Sequence, residues 1–260
     1  MKIKNLATRS GSWVFAIAAI IMLAAQPALA DRSFLWNIVN LKCLRHLTKS
    51  EAPIPCDSVD VSAGWDRGVA LLKDPDGVAR MLAIPTHQVC GIEDPALLTP
   101  EEPNYFASAW AARSAVERRL RMHLPRDAVV ITVDSMQASN QDQLYLRVDC
   151  IDKDVAASLA SYSGALDTEW RTMTVDLKGR RYWARKLESQ DLSDVSPFRL
   201  LADGISDAKT EMGLWSLAAV GANFSGAPGF ILLADHAEPT VGGHAEDLQD
   251  RDCAIARSKS

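Results

Sequence analysis

From Gln143 to Asp149 polar and apolar residues alternate along the chain, the period-2 signature of a strand with one buried face. Leu144, Leu146 and Val148 then point into a core, and Gln143, Tyr145, Arg147 and Asp149 form a row of hydrogen-bonding side chains on the other face. The plainest reading leaves that row in water. Upstream, Ala128–Val133 is a β-branched run that reads as a partner strand, with the polar stretch Asp134–Asn140 as the connecting loop.

Elsewhere the pattern switches between helical and extended periods. Asp31–Leu47 carries apolar residues at helical intervals, and a hairpin follows from Gly68–Leu72 through Asp74–Gly77 to Val78–Ile84, ended by Pro85. Thr99–Glu102 reads as the start of a helix extending over Asn104–His123 and stopped by Pro125. A short helix is expected at Asp152–Tyr162, then strands at Met173–Val175 and Tyr182–Leu187. Ser196-Pro197 opens a helix running to about Met212. Trp215–Val220 and Phe230–Ala234 make a hairpin across Asn223–Gly229. Strands and helices mix without regular βαβ alternation, which predicts an α+β fold with an antiparallel sheet and flanking helices. The second half repeats the rhythm of the first, as two related halves in one chain would, although no repeat is visible residue by residue.

The N-terminus changes the picture of where the chain works. Basic Lys2, Lys4 and Arg9 precede the apolar run Trp13–Ala25 and the small-residue site Ala28-Leu29-Ala30. That order describes a secretory signal cleaved before Asp31, a retained anchor being the alternative, so residues 1–30 are set apart from a domain spanning 31–260. Losing the leader takes the formal net charge from −5 to −8. An acidic exported chain with no basic run is a poor nucleic-acid binder and lacks a linear polybasic membrane patch. All five cysteines follow the leader, in an oxidising setting. Cys43 and Cys56 flank a short segment and could close a local loop, Cys150 could meet Cys253, and Cys90 is left over; spacing does not settle the pairing. Cys43-x-x-His46 with His87-x-x-Cys90 has the spacing of metal ligands, in competition with those disulfides.

Candidate chemistry is sparse. The sequence holds no Gly-x-Ser-x-Gly elbow, P-loop, His-Glu-x-x-His or Gly-x-Gly-x-x-Gly, and its five histidines are scattered away from the alternating strand. An ordered set of short stretches is more telling. It comprises Ile84-Pro85-Thr86, Gly91-Ile92-Glu93-Asp94-Pro95, Pro103-Asn104-Tyr105-Phe106, Trp110-x-Ala112-Arg113, Gln141-Asp142-Gln143-Leu144, Val148-Asp149-Cys150, Ser196-Pro197-Phe198, Met212-Gly213 and Gln249-Asp250-x-Asp252-Cys253. Together they resemble the CDP-diacylglycerol pyrophosphatase family, a branch of the histidine-triad superfamily, over nearly the whole chain after the leader.

That resemblance implies a histidine-triad-like sheet. It also implies hydrolysis of CDP-diacylglycerol, or a related lipid, to CMP and phosphatidic acid at the periplasmic side of the inner membrane. No cofactor or metal is needed. The expected partners are the lipid and the membrane surface, with the oligomeric state left open. In such enzymes alternate histidines line one strand and the central one attacks the α-phosphorus. Here Tyr145 stands at the central position, Arg147 at the next, and Gln143 at the first, where some relatives also carry Gln. Gly179-Arg180 stands where relatives have Gly-His, Asp134 replaces a usual Asn, and Ala138 a usual Gly. The resemblance thus makes Tyr145, Gln143 and Arg147 catalytic candidates and Asp134, Gln141 and Arg180 substrate-binding ones. A phenol with pKa about 10 is roughly 0.1% ionised at pH 7, and lowering that pKa by three units takes about 4 kcal/mol. The sequence therefore poses three alternatives: an enzyme with a tyrosine nucleophile, a weak or inactive relative that binds a nucleotide-lipid or anionic headgroup, or an envelope structural protein whose groove is vestigial.

Overall fold

Aliphatic and β-branched runs, each long enough for one strand, build a single sheet in a computed structural model that describes residues 31–238 and 242–258. The expected leader lies outside the described residues. The strands are β1 (Ser58–Asp60), β2 (Val69–Lys73), β3 (Met81–Pro85), β4 (Val129–Val133) and β5 (Leu146–Cys150), followed by β6 (Arg171–Thr172), β7 (Trp183–Leu187), β8 (Trp215–Phe224) and β9 (Ala227–His236). They pair antiparallel throughout in the order β1-β2-β3-β5-β4-β8-β9-β7-β6. The fold is α+β.

The order contains one unit twice. A hairpin β2–β3, helices α3 (Tyr105–Ala111) and α4 (Arg113–Leu120), and a hairpin β4–β5 set β5 beside β3. A hairpin β6–β7, helix α6 (Pro197–Gly204) and a hairpin β8–β9 set β9 beside β7 in the same way. The innermost strands β4 and β8 join the halves, from Val130 opposite Val220 to Val133 opposite Leu217. Trp110 of α3 meets Phe230 of β9 edge-on at 4.7 Å, and the Arg126 guanidinium lies 4.7 Å from the Trp110 ring centroid. Arg126 also donates to the carbonyls of Ala222, Gln190 and Gly229, so one side chain fastens the second half to the first.

Several boundaries differ from those the pattern predicts. The Asn104–His123 helix begins at the Asn104 cap, whose Oδ1 accepts from Ala107 N at 3.3 Å, and not at Thr99–Glu102. It also breaks at Ala112. Helix α6 stops at Gly204 and not Met212: a side chain there would strike Trp170 Cδ1 at 2.4 Å, and Asp207 then turns the chain at φ +65°. The β8–β9 strands run ten residues each to a tight turn at Ser225-Gly226 (φ +51° and +88°), tighter than Asn223–Gly229.

Both faces of the sheet are covered. Helices α3, α4 and α6 pack one side of the main core, which includes Leu144, Leu146 and Val148, while α5 (Lys153–Tyr162) lies beside Val220 and Ile231 on the opposite face. On the other side a smaller cluster joins Ala70, Leu72, Leu82, Ile84 and Tyr145 to Leu35, Ile38 and Val39. Those last residues belong to one continuous helical segment: α1 (Phe34–Ile38), a π-helical turn Val39–Cys43, and α2 (Leu44–Thr48). The row Gln143, Tyr145, Arg147 and Asp149 is 1%, 7%, 9% and 0% exposed, which corrects the expectation of a water-facing row. The regular ladder also starts later than the alternation, at Leu146.

A C-terminal strap completes the cover. Ser135 N donates to Gly243 O, Gly243 N to Ser135 Oγ, Asp152 N to Leu248 O and Asp250 N to Cys150 O, all between 2.9 and 3.0 Å. The Cys150–Cys253 disulfide ties the strap to β5, and Cys43–Cys56 ties the following loop to the N-terminal helical segment. Cys43 is therefore no metal ligand; among the described residues no group of three or more metal-ligating side chains occurs. The Cys150–Cys253 bridge spans 103 residues. Replacing the pair by Cys150→Ala and Cys253→Ser is expected to cost about 2–5 kcal/mol of stability. A calorimetric melt of the double variant against the oxidised protein checks this, and an unchanged midpoint would refute it.

Candidate active site

Three of the six site candidates converge at the end of β4 and the start of β5. Thr132 lies opposite Arg147 in the β4–β5 ladder, so the residues just past β4 reach the side chains that precede and open β5. Arg147 Nη2 donates to the Tyr145 hydroxyl at 2.9 Å, and Arg147 Nη1 to Asp134 Oδ2 at 2.5 Å. The phenol in turn points to Asn140 Oδ1 at 3.5 Å. The guanidinium carbon sits 4.7 Å from the Tyr145 ring centroid.

The electrostatics of this cluster oppose each other. Burial pushes the Tyr145 phenol above its ordinary value, the Arg147 cation pulls it down, and the net shift is upward. Burial also works against the Arg147 charge, but the carboxylates of Asp134 and Glu246 outweigh it and hold Arg147 above the ordinary arginine range. The result is a neutral phenol beside a permanent cation.

Glu246 is the residue that the sequence left unassigned. Its Oε2 lies 3.3 Å from Arg147 Nε and 3.7 Å from Arg80 Nη1, while its backbone N donates to Asp134 Oδ1 at 3.1 Å. It reaches the site from the strap, about a hundred residues downstream, and no local spacing announces it. The neighbouring Gln249-Asp250-x-Asp252-Cys253 stretch was the available signal, since Gln249 Nε2 donates to Arg147 O at 3.3 Å. Arg80, 1% exposed, was also missed; its Nε donates to Asp149 Oδ2 at 2.8 Å. Burial pushes the Asp149 carboxyl up to about 6 although Arg80 and the Cys150 N–H draw it down.

The other candidates are placed apart. Gln143 turns to the loop after β3, its Nε2 donating to His87 O at 3.0 Å and Pro85 O at 3.4 Å. Gln141 Oε1 accepts from Leu35 N at 3.0 Å and so fastens the N-terminal helical segment over Tyr145. Arg180 is held by Asp235, with Nε at 2.7 Å and Nη2 at 2.5 Å, on the second half of the sheet. Its link to the first cluster runs through Tyr182, whose buried hydroxyl feels Asp235 and Arg180 as well as Asp134.

A small cavity adjoins Tyr145, lined by Gly91–Glu93, Met136, Ser139 and Gln143, with a volume of about 10 Å³. Two buried acceptors on its wall, Gln143 Oε1 and Glu93 Oε2, have no donor among the described residues. One water fits the volume and would satisfy them. A nucleotide needs the wall to open, and Met136, 47% exposed, is its most solvent-exposed side chain. Chemically, the cluster offers one oxygen nucleophile, one guanidinium able to take a phosphoryl oxygen, and two carboxylates already matched to that guanidinium.

Comparison with known proteins bears on this geometry. The family model described as CDP-diacylglycerol pyrophosphatase matches residues 30–257. A CDP-diacylglycerol pyrophosphatase of Yersinia pestis is 34% identical over 257 residues, covering 95% of this chain and 97% of the relative.

Proposed function

The chain belongs to the CDP-diacylglycerol pyrophosphatase family, and from that premise we propose that it hydrolyses the diphosphate of CDP-diacylglycerol to CMP and phosphatidic acid, slowly, with Tyr145 in the nucleophile's place. A histidine-triad-like descent of the fold goes with this proposal. The observation that carries it is the 2.9 Å contact between Arg147 and the Tyr145 hydroxyl, the pairing that favours phenolate and can receive phosphate.

The chemistry balances simply. Tyr145 loses its proton to solvent, and the phenolate oxygen bonds to the cytidine-bearing phosphorus. The bond from that phosphorus to the bridging oxygen breaks, and phosphatidic acid leaves as its anion. Water then cleaves the aryl diester, its oxygen staying with CMP and one proton returning to Tyr145. Arg147 supplies charge to the phosphoryl oxygens, after giving up part of its contact with Glu246. The leader and the two disulfides support work in an oxidising, exported setting, periplasmic or anchored at the inner membrane. Among the described residues no helix is long and apolar enough to cross a membrane.

A second reading, a protein that binds the nucleotide-lipid without turnover, is favoured by one feature: Arg147 and Arg180 already face carboxylates, buried Asp134 and half-buried Glu246 for one and buried Asp235 for the other. CMP release by the protein beginning at residue 31 tests the first reading. Turnover from the unsubstituted protein sustains it; thermal stabilisation by the lipid with no CMP leaves the second.

A further inference from the structure

We propose that the outer side of the N-terminal helical segment is a docking surface for an anionic lipid bilayer. The segment runs without interruption from Phe34 to Thr48. Its inner residues Leu35, Ile38 and Val39 are buried, but Phe34 and Leu41 are 54% and 57% exposed. Single exposed apolar residues are ordinary; these two share their helix with Lys42, Arg45 and, at its end, Lys49, all exposed and in no ion pair among the described residues. Unpaired cations beside exposed aromatic and aliphatic groups match an interface that is apolar below and anionic above.

The contrast with the rest of the molecule makes the match specific. The chain after residue 30 carries a formal net charge of −8, so a negative surface repels the molecule as a whole, and the outward cations of this helix offset that locally beside exposed apolar side chains. No linear run of basic residues exists; the helix gathers dispersed ones. The inner side of the segment packs on Tyr145, and Leu35 N is bound by Gln141. A bilayer against the outer side therefore lies about one helix diameter, roughly 10 Å, from the phenol. The inference extends the lipid-hydrolase reading, yet it is tested without the nucleotide-lipid, so either can fail alone.

The test is sedimentation of the chain from residue 31 with vesicles of phosphatidylcholine, alone or mixed with phosphatidylglycerol. The sheet, both cores and both disulfides lie within this chain. Binding to the mixed vesicles is expected to weaken about 100-fold in Lys42→Gln/Arg45→Gln/Lys49→Gln, taking roughly fivefold per cation. In Phe34→Ser/Leu41→Ser it is expected to weaken at least about tenfold. Near-ultraviolet circular dichroism should be unchanged in both, because the altered side chains are exposed. Equal binding by all three proteins, equal binding to neutral vesicles, or no binding by the unsubstituted chain would overturn the proposal. So would self-association that the same substitutions abolish without any vesicle binding.

Discussion

CMP release from CDP-diacylglycerol is expected to fall to the uncatalysed level in Tyr145→Phe. In the unsubstituted protein it should climb about tenfold per pH unit between about pH 6 and about pH 9. The slope follows from the state of the phenol. Burial raises its pKa and the adjacent Arg147 only partly offsets that, so the phenolate is a small fraction throughout this range and grows in proportion to hydroxide. Tyr145→Phe keeps the ring that packs against Leu35 and Ile38 and removes only the oxygen, so the loss reads chemistry and not folding. An imidazole at the same position is mostly neutral above about pH 6.5, and the alkaline slope should vanish in Tyr145→His. A flat profile in the unsubstituted protein, or turnover surviving in Tyr145→Phe, would show that another group attacks.

The second large effect is on stability. Arg80→Met is expected to destabilise the fold by about 3–5 kcal/mol near pH 7.5, a fall of roughly 10 °C in melting temperature. Arg80 is 1% exposed and is the side-chain cation on Asp149, which is 0% exposed; it also lies 3.7 Å from both Asp74 and Glu246. Removing it leaves a carboxylate in the interior without its partner. The sign with pH follows from Asp149. Its carboxyl titrates at about 6 in the folded protein, above its ordinary value, so its contribution to stability is fully present below about pH 4 and is lost as pH rises through 6. Without Arg80 that carboxyl rises further and takes a proton readily, so the deficit of Arg80→Met should shrink near pH 5. A deficit that is the same at both pH values would mean that Arg80 acts by packing alone.

Much of the first half of the molecule is legible in the sequence because its signals are local. The alternation through Leu144, Leu146 and Val148 correctly separates the side chains that enter the main core from Tyr145 on the other face. The β2–β3 hairpin is announced by Asp74–Gly77, and helix α5 by its Asp152 cap. What the pattern does not reveal is the cover on the second face. That cover comes from Phe34–Thr48 and from the strap carrying Glu246 and Gln249, both about a hundred residues from β5 along the chain. Alternation reports which side a residue faces, not what is laid over it, so a polar row expected in water is buried, Arg147 and Asp149 in ion pairs and Gln143 and Tyr145 in hydrogen bonds. The site divides in the same way. Tyr145, Arg147 and Asp134 sit close in sequence and meet in space, whereas Arg180 finds Asp235 on a strand that only the topology brings near.

Covalent attack by Tyr145 is read directly in acid-quenched protein from a reaction with CDP-diacylglycerol. Mass spectrometry of the peptide carrying Tyr145 should find the cytidylyl group on the phenol, with the adduct absent from Tyr145→Phe. CMP released at the normal rate with no adduct on Tyr145, or with the adduct on a different residue, would rule out Tyr145 as the nucleophile.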